Sequence, residues 1–216
     1  MKVRTPVSAI LAILVGACLL FFVFSRDEAP PTHDYAIGDR LPPPSPSPQV
    51  QAAEAGYREI RWEELVPASW DPASAFAGLK LDEIEDGSPQ AIQAMQQFLE
   101  KWNEAPANPE IDGKNVKLPG FVAPLDFGEG RKLREFLLVP YFGACIHVPP
   151  PPANQIVLIQ VDEPPEGIGS MDAVWVYGRI RIERADTQSG TSGYRMKAEK
   201  VERYLPPERQ HVGEPE

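Results

Sequence analysis

Cys145 and His147 stand two residues apart and are followed by Pro149-Pro150-Pro151-Pro152-Ala153-Asn154-Gln155. Cys145 is the only cysteine outside the apolar N-terminus, and His147 is the only histidine inside the segment expected to fold. In extended chain, residues two apart point to the same side, so thiol and imidazole can converge. Three chemistries follow from such a pair. Cys145 can pack as a small apolar residue while His147 bonds a carbonyl. Thiolate and imidazole can ligate zinc or copper, with a carboxylate, a water or a partner completing the coordination. His211 in the C-terminal tail is a weak candidate for that third place. The imidazole can also lower the thiol pKa and make Cys145 nucleophilic or redox-active. The chain has no Cys-x-x-Cys spacing, and no second titratable partner stands out by spacing, so thiol chemistry ranks last.

The prolines act on shape rather than on chemistry. Pro149, Pro150, Pro151 and Pro152 have fixed φ and no N–H, and Val148 is pushed to extended geometry by the proline after it. Such a loop loses little entropy when it presents a fixed form. Asn154 and Gln155 supply the amide donors and acceptors that the prolines lack, and they are expected to organise the loop.

The elements that must hold this loop can be read along the chain. Val7–Phe24 is eighteen residues without a charge, preceded by Lys2 and Arg4. That length is about the minimum for a membrane span, and the basic flank keeps its start in the cytoplasm. We expect residues 1–25 to anchor an exported domain in the inner membrane, on the periplasmic side. A cleaved signal peptide competes with this reading, as does a lipoprotein signal ending in Cys18. The apolar run Leu19–Phe24, where a lipoprotein tether is normally polar, argues against lipidation. Removing residues 1–25 lowers the basic count from 21 to 19 and leaves all 31 acidic residues, a net charge of −12. That balance argues against nucleic-acid binding, whose affinity rests on neutralised phosphates, and against adhesion to anionic lipid.

Residues 26–56, with Pro30-Pro31 and Pro42-Pro43-Pro44-Ser45-Pro46-Ser47-Pro48, are predicted to be a semi-rigid linker holding His33 in solvent. A globular domain is expected over 57–205 and a flexible tail over 206–216. Trp62 and Trp70 are placed in a short helical turn and a docking loop. Ser88-Pro89 opens a helix with serine at the N-cap and proline at the first position. Its stripe Ile92, Met95, Leu99 and Trp102 is assigned to the core.

Five strands are predicted after that: Val116–Pro124, Arg134–Pro140, Gln155–Val161, Val174–Glu183 and Ala198–Tyr204. The third is apolar at nearly every position, so both its faces should be covered. The expected class is mainly β with an N-terminal helix (α+β), as a small OB-like five-stranded antiparallel barrel. An open antiparallel sheet with the helix on one face is the alternative. Gly178 is expected at a bend. Trp175 and Tyr177 share the outward face of their strand and are taken as a partner surface, unless the N-terminal helical segment covers them. Asp82, Glu83, Glu85 and Asp86 are read as a solvated acidic face.

Several stretches resemble a bacterial envelope family of unknown function: Trp62–Pro67, Leu118–Leu125, Glu135–Pro140 and, most specifically, Gly143–Gln155. The resemblance implies export, as a lipoprotein or an anchored protein. It also implies occasional encoding near ABC-type permeases of the lipoprotein-release and macrolide-export type, in zinc-responsive clusters. Envelope metal homeostasis beside such a transporter is the role so implied. The resemblance brings no activity, and the overall expectation is a non-enzymatic accessory binding protein with Cys145 and His147 as metal ligands. A metal-free module docking on a permease is the main alternative, and a thiol-dependent redox protein the lower one.

Overall fold

The computed structural model describes residues 35–42, 56–75, 84–128, 132–145 and 150–205. The apolar segment 7–24, Cys18, His33, Asp82, Glu83 and His211 lie outside the described residues, as does most of the predicted linker. Among the described residues no helix is long and apolar enough to cross a membrane.

Alternation of apolar residues builds most of the sheet. Its strands are β1 (Arg58–Glu59), β2 (Asn115–Gly128), β3 (Lys132–Val139), β4 (Val157–Val161), β5 (Ala173–Thr187) and β6 (Gly190–Arg203). The sheet order is β1-β2-β3-β4-β6-β5, with an additional pairing between β2 and β5. The fold is therefore mainly β, one six-stranded mixed sheet with a single α-helix, α1 (Pro89–Asn103), among the described residues.

This differs from the five antiparallel strands expected. The sixth strand is β1, two residues that pair parallel with Val116 and Lys117. Two residues are too short to show any period. The second parallel pair, β4 with β6 from Val157↔Tyr194 to Val161↔Ala198, joins strands separated in sequence by β5. No local pattern encodes that direction.

One face of the strands carries Val116, Leu118, Val122, Phe136, Leu138, Val157, Ile159, Val174, Val176, Ile180, Tyr194 and Met196, all buried in the main core. The opposite face of β2, β3 and β4 carries Phe121, Ala123, Leu137, Val139 and Leu158 in a second apolar cluster. β4 is buried on both faces for this reason. Tyr194 ties the segment before the sheet to the core: its hydroxyl donates to the Leu65 carbonyl at 2.6 Å and accepts from the Asn108 N–H at 2.6 Å. Burial pushes its pKa up to about 12. At Gly178 the β5–β6 register shifts, and a Cβ there would sit 2.4 Å from the Lys197 carbonyl oxygen. Only glycine allows that approach.

Helix α1 starts as its sequence prescribes, with Ser88 Oγ accepting from the Ala91 N–H at 3.1 Å. Its inward face is not the predicted one. Ile92, Met95 and Leu99 are 57%, 56% and 37% exposed, whereas Ala94 is buried and Phe98 and Trp102 are half-buried. Two stripes overlap on this helix. The one containing small Ala94 and the mutually tilted rings of Phe98 and Trp102, 5.0 Å apart, is the one that packs. Periodicity alone cannot choose between them.

Residues 35–42, assigned to the linker from sequence, dock on the domain. Tyr35 lies edge-on to Phe121 at 5.0 Å, and Gly38 N–H donates to the Phe142 carbonyl at 3.0 Å.

Candidate functional site

The predicted site grows out of the end of β3. Pro140 is buried and Tyr141 bridges back to Arg40. The turn then passes Gly143 (φ 84°) and fully buried Ala144 to Cys145 (φ 65°). Cys145 packs against the second apolar cluster, whose buried members include Phe121, Leu137, Ile156 and Leu158 and whose partly buried members include Tyr141 and Phe142. Phe121 and Phe142 meet edge-on at 5.7 Å, so the cluster presents ring edges and aliphatic carbon. Burial there pushes the thiol up from its ordinary 9.0 to about 12. At neutral pH the group is therefore a protonated thiol, the reverse of an activated nucleophile.

Ile146, His147, Val148 and Pro149 lie outside the described residues, and with them the imidazole of the predicted pair. The chain is described again from Pro150. The Trp102 indole N–H donates to the Pro150 carbonyl at 3.1 Å, which fastens the proline run to α1. Pro151 and Pro152 are buried, and Pro152 caps a single 3-10 turn over Ala153–Gln155. Asn154 is fully buried, and its amide donates to the Pro106 carbonyl at 3.1 Å. Gln155 closes the turn through its backbone N–H, which donates to the Pro152 carbonyl at 2.8 Å. Asn154 thus holds the loop by its side chain and Gln155 by its backbone.

Sequence reasoning missed Met171. Its backbone N–H donates to the Val122 carbonyl at 2.7 Å, and its sulfur accepts from the Gly143 N–H at 3.1 Å, two residues from Cys145. Cys145 and Met171 are the two described non-glycine residues with positive φ, at 65° and 61°. Each such conformation costs about 1–2 kcal/mol, and both belong to the same apolar cluster. Nothing in Gly169-Ser170-Met171-Asp172 marks the methionine in advance. Its place follows from the pairing of the 171–172 backbone with Val122. Among the described residues no group of three His, Cys, Asp or Glu side chains converges as a metal site.

Trp175 and Tyr177, expected on an exposed partner surface, are 8% and 2% exposed. Strand parity does turn them away from the main core, but three elements cover them. Tyr204 lies tilted against Trp175 at 5.5 Å, Tyr57 lies edge-on to Tyr177 at 5.6 Å, and Leu41 packs alongside. The Lys117 ammonium sits 4.7 Å from the Trp175 ring centre and 3.0 Å from the Glu59 carboxylate. The Tyr177 hydroxyl donates to Glu202 at 2.6 Å. The cover comes from Leu41, Tyr57 before β1 and Tyr204 after β6.

The family model described as a protein of unknown function (DUF3299) matches residues 62–203. The crystal structure of a DUF3299 family protein from Pseudomonas aeruginosa PAO1 is similar at 34% identity and TM-score 0.55, over 70% of this chain and 98% of that one. A small single-stranded DNA-binding protein from Streptomyces coelicolor aligns over 44% of this chain and 96% of its own. At 12% identity and TM-score 0.27, that likeness carries no argument. No curated protein matches the chain.

Proposed function

The chain belongs to the DUF3299 family of proteins of unknown function, and from that premise we propose that it is a non-enzymatic binding protein of the bacterial envelope. Residues 7–24 anchor it in the inner membrane, and its role is metal homeostasis on the periplasmic side beside an ABC-type transporter. The scaffold is an OB-like barrel. The β2–β5 pairing, which joins the edge strand β5 back to β2, supports that reading.

One observation carries the binding role: Cys145 and Met171, both with strained backbones, pack against one apolar cluster, and the Met171 sulfur accepts from the Gly143 N–H two residues from Cys145. Strain of this kind persists where the surrounding structure over-determines it, and it gathers at binding sites. Cys145 and His147 are the ligands in this reading, and Met171 adds a thioether. Thiolate, imidazole and thioether together favour copper over zinc. The raised thiol pKa means that metal binding expels a proton from Cys145. Affinity therefore falls steeply as pH is lowered.

Elemental analysis of the full chain tests this. Stoichiometric copper or zinc is expected in the wild type, lost in Cys145→Ser and weakened in Met171→Leu. Equal, negligible metal in wild type and Cys145→Ser overturns it.

A second reading is a metal-free module that docks on the permease. The exposed apolar stripe Ile92, Met95 and Leu99 on α1, tied to the proline loop through Trp102, favours it. Photocrosslinking from position 95 in cells separates the two readings. Capture of a permease subunit that is unchanged in Cys145→Ser supports docking, and labelling of lipid or solvent alone removes it.

A further inference from the structure

The chain is acidic overall, yet one face of its sheet gathers cations around an open groove of about 690 Å³. Its walls are Tyr57 and Arg58 at β1, the turn Gly113-Lys114-Asn115, and Arg179 of β5. The pairings that bring them together are Arg58↔Val116 on one side of β2 and Asn115↔Arg179 on the other. Gly113, at φ 72°, turns the chain into β2, and its carbonyl accepts from Arg179 Nε at 2.7 Å. A Cβ on Gly113 would lie 3.5 Å from a guanidinium nitrogen of Arg181 and 3.9 Å from one of Arg179. The two guanidinium groups therefore share the space over a residue that has no side chain to cover them.

The charges in this face are unequally compensated. Arg179 stands opposite Lys197, and Arg181 opposite Arg195, two like-charged cross-strand pairs. Such pairs are unfavourable unless counter-charge is supplied. On β6 it is supplied: Lys197 pairs with Asp162 at 2.8 Å and Arg195 with Glu183 at 2.8 Å. Arg58 is likewise paired, with Glu64 at 2.6 Å. Arg179, Arg181 and Lys114 have no carboxylate in ion-pair contact among the described residues. The acids nearest in sequence are engaged elsewhere: Asp112 accepts from the Ile182 N–H at 2.9 Å and Glu183 pairs with Arg195 at 2.8 Å.

We propose that this groove is a binding site for a phosphate-bearing anion, held by Arg179, Arg181 and Lys114. Planar guanidinium groups match phosphate oxygens two at a time, and an ammonium adds a point charge. The bound anion supplies the counter-charge that Arg179 and Arg181 lack among the described residues. The site is independent of the sulfur corner and of any metal held there.

Calorimetric titration of the full chain in neutral detergent tests the proposal, with two probes. Inorganic pyrophosphate represents a soluble phosphate, and dihexanoyl phosphatidic acid represents a lipid headgroup. Saturable binding of at least one probe is expected, weakened at least about tenfold in the Arg179→Gln/Arg181→Gln double variant and several-fold in Lys114→Gln. Lys101→Gln, on α1, should bind as the wild type does. Binding of pyrophosphate assigns a soluble ligand, and binding of the phospholipid alone assigns a headgroup. If neither probe saturates, or if the double variant and Lys101→Gln lose the same affinity, the proposal fails.

Discussion

Two of the places where this chain turns at a positive φ do opposite things with the chemistry they carry. Cys145, at φ 65°, packs against an apolar cluster, and Gly113, at φ 72°, leaves two guanidinium groups uncovered beside a groove. At the first, burial decides the electrostatics and holds the proton on sulfur to about pH 12. At the second, the strand register decides which charges face one another. The same backbone device thus serves a site closed by hydrocarbon and a site open to ions. What differs is the neighbour across the sheet.

The contrast is sharpest in stability. Phe121 is fully buried and supports the Cys145 corner. Phe121→Ala should cost about 3–5 kcal/mol, measured by urea unfolding, because the rings of Tyr35 and Phe142 cannot collapse into the space. A loss under about 1 kcal/mol would mean that the corner is not packed as described.

The next effect is one of pH. The folded thiol keeps its proton to about pH 12, whereas the unfolded one loses it near 9.0. Its contribution is therefore fully present below pH 9 and drains away as pH rises toward 12. The slope is about 1.4 kcal/mol per pH unit within that window. Cys145→Ser should remove this component of the alkaline loss and leave the part due to Tyr194 and Tyr204, whose pKa values burial also raises to about 12. Parallel wild-type and variant curves between pH 9 and 12 would show that the thiol is solvated.

At the open site the effects shrink. Gly113→Ala should cost about 1–2 kcal/mol, since the left-handed backbone is disfavoured for alanine. The added Cβ itself meets only an ordinary contact with Arg181. Arg181→Gln should stay within about 0.5 kcal/mol and lean toward stabilisation, because it relieves the pair with Arg195. A clear loss there, again in urea unfolding, would mean that Arg181 has a counter-charge after all.

Much of the scaffold was legible in the chain. The N-cap Ser88, the two-sided apolar run of β4 and the alternation along β5 each follow from local physical chemistry, and each appears in place. The partner of Asn154 was not legible locally, because its amide donates to the Pro106 carbonyl, far from the proline run in sequence. Other assignments failed for a common reason. Trp175 and Tyr177 lie on the outward side of β5 as parity requires, but parity does not say what lies on top of them. Ile92, Met95 and Leu99 form a proper helical stripe, but a second stripe through Ala94 and Trp102 was the one used.

Met171 and the Gly113 groove had no local signal at all. Each is made when segments far apart in sequence are laid side by side: Gly143 against Met171, and Tyr57, Gly113 and Arg179 around one end of β2.

The amino-acid sequence by itself set the period of the strands, the start of the helix and the stiffness of the proline loop, because these depend on neighbours within a few residues. Tertiary structure alone decided which faces are covered, which direction strands pair and where the sulfurs and guanidinium groups gather. Burial and cross-strand register are properties of contacts between segments, and no single segment contains them.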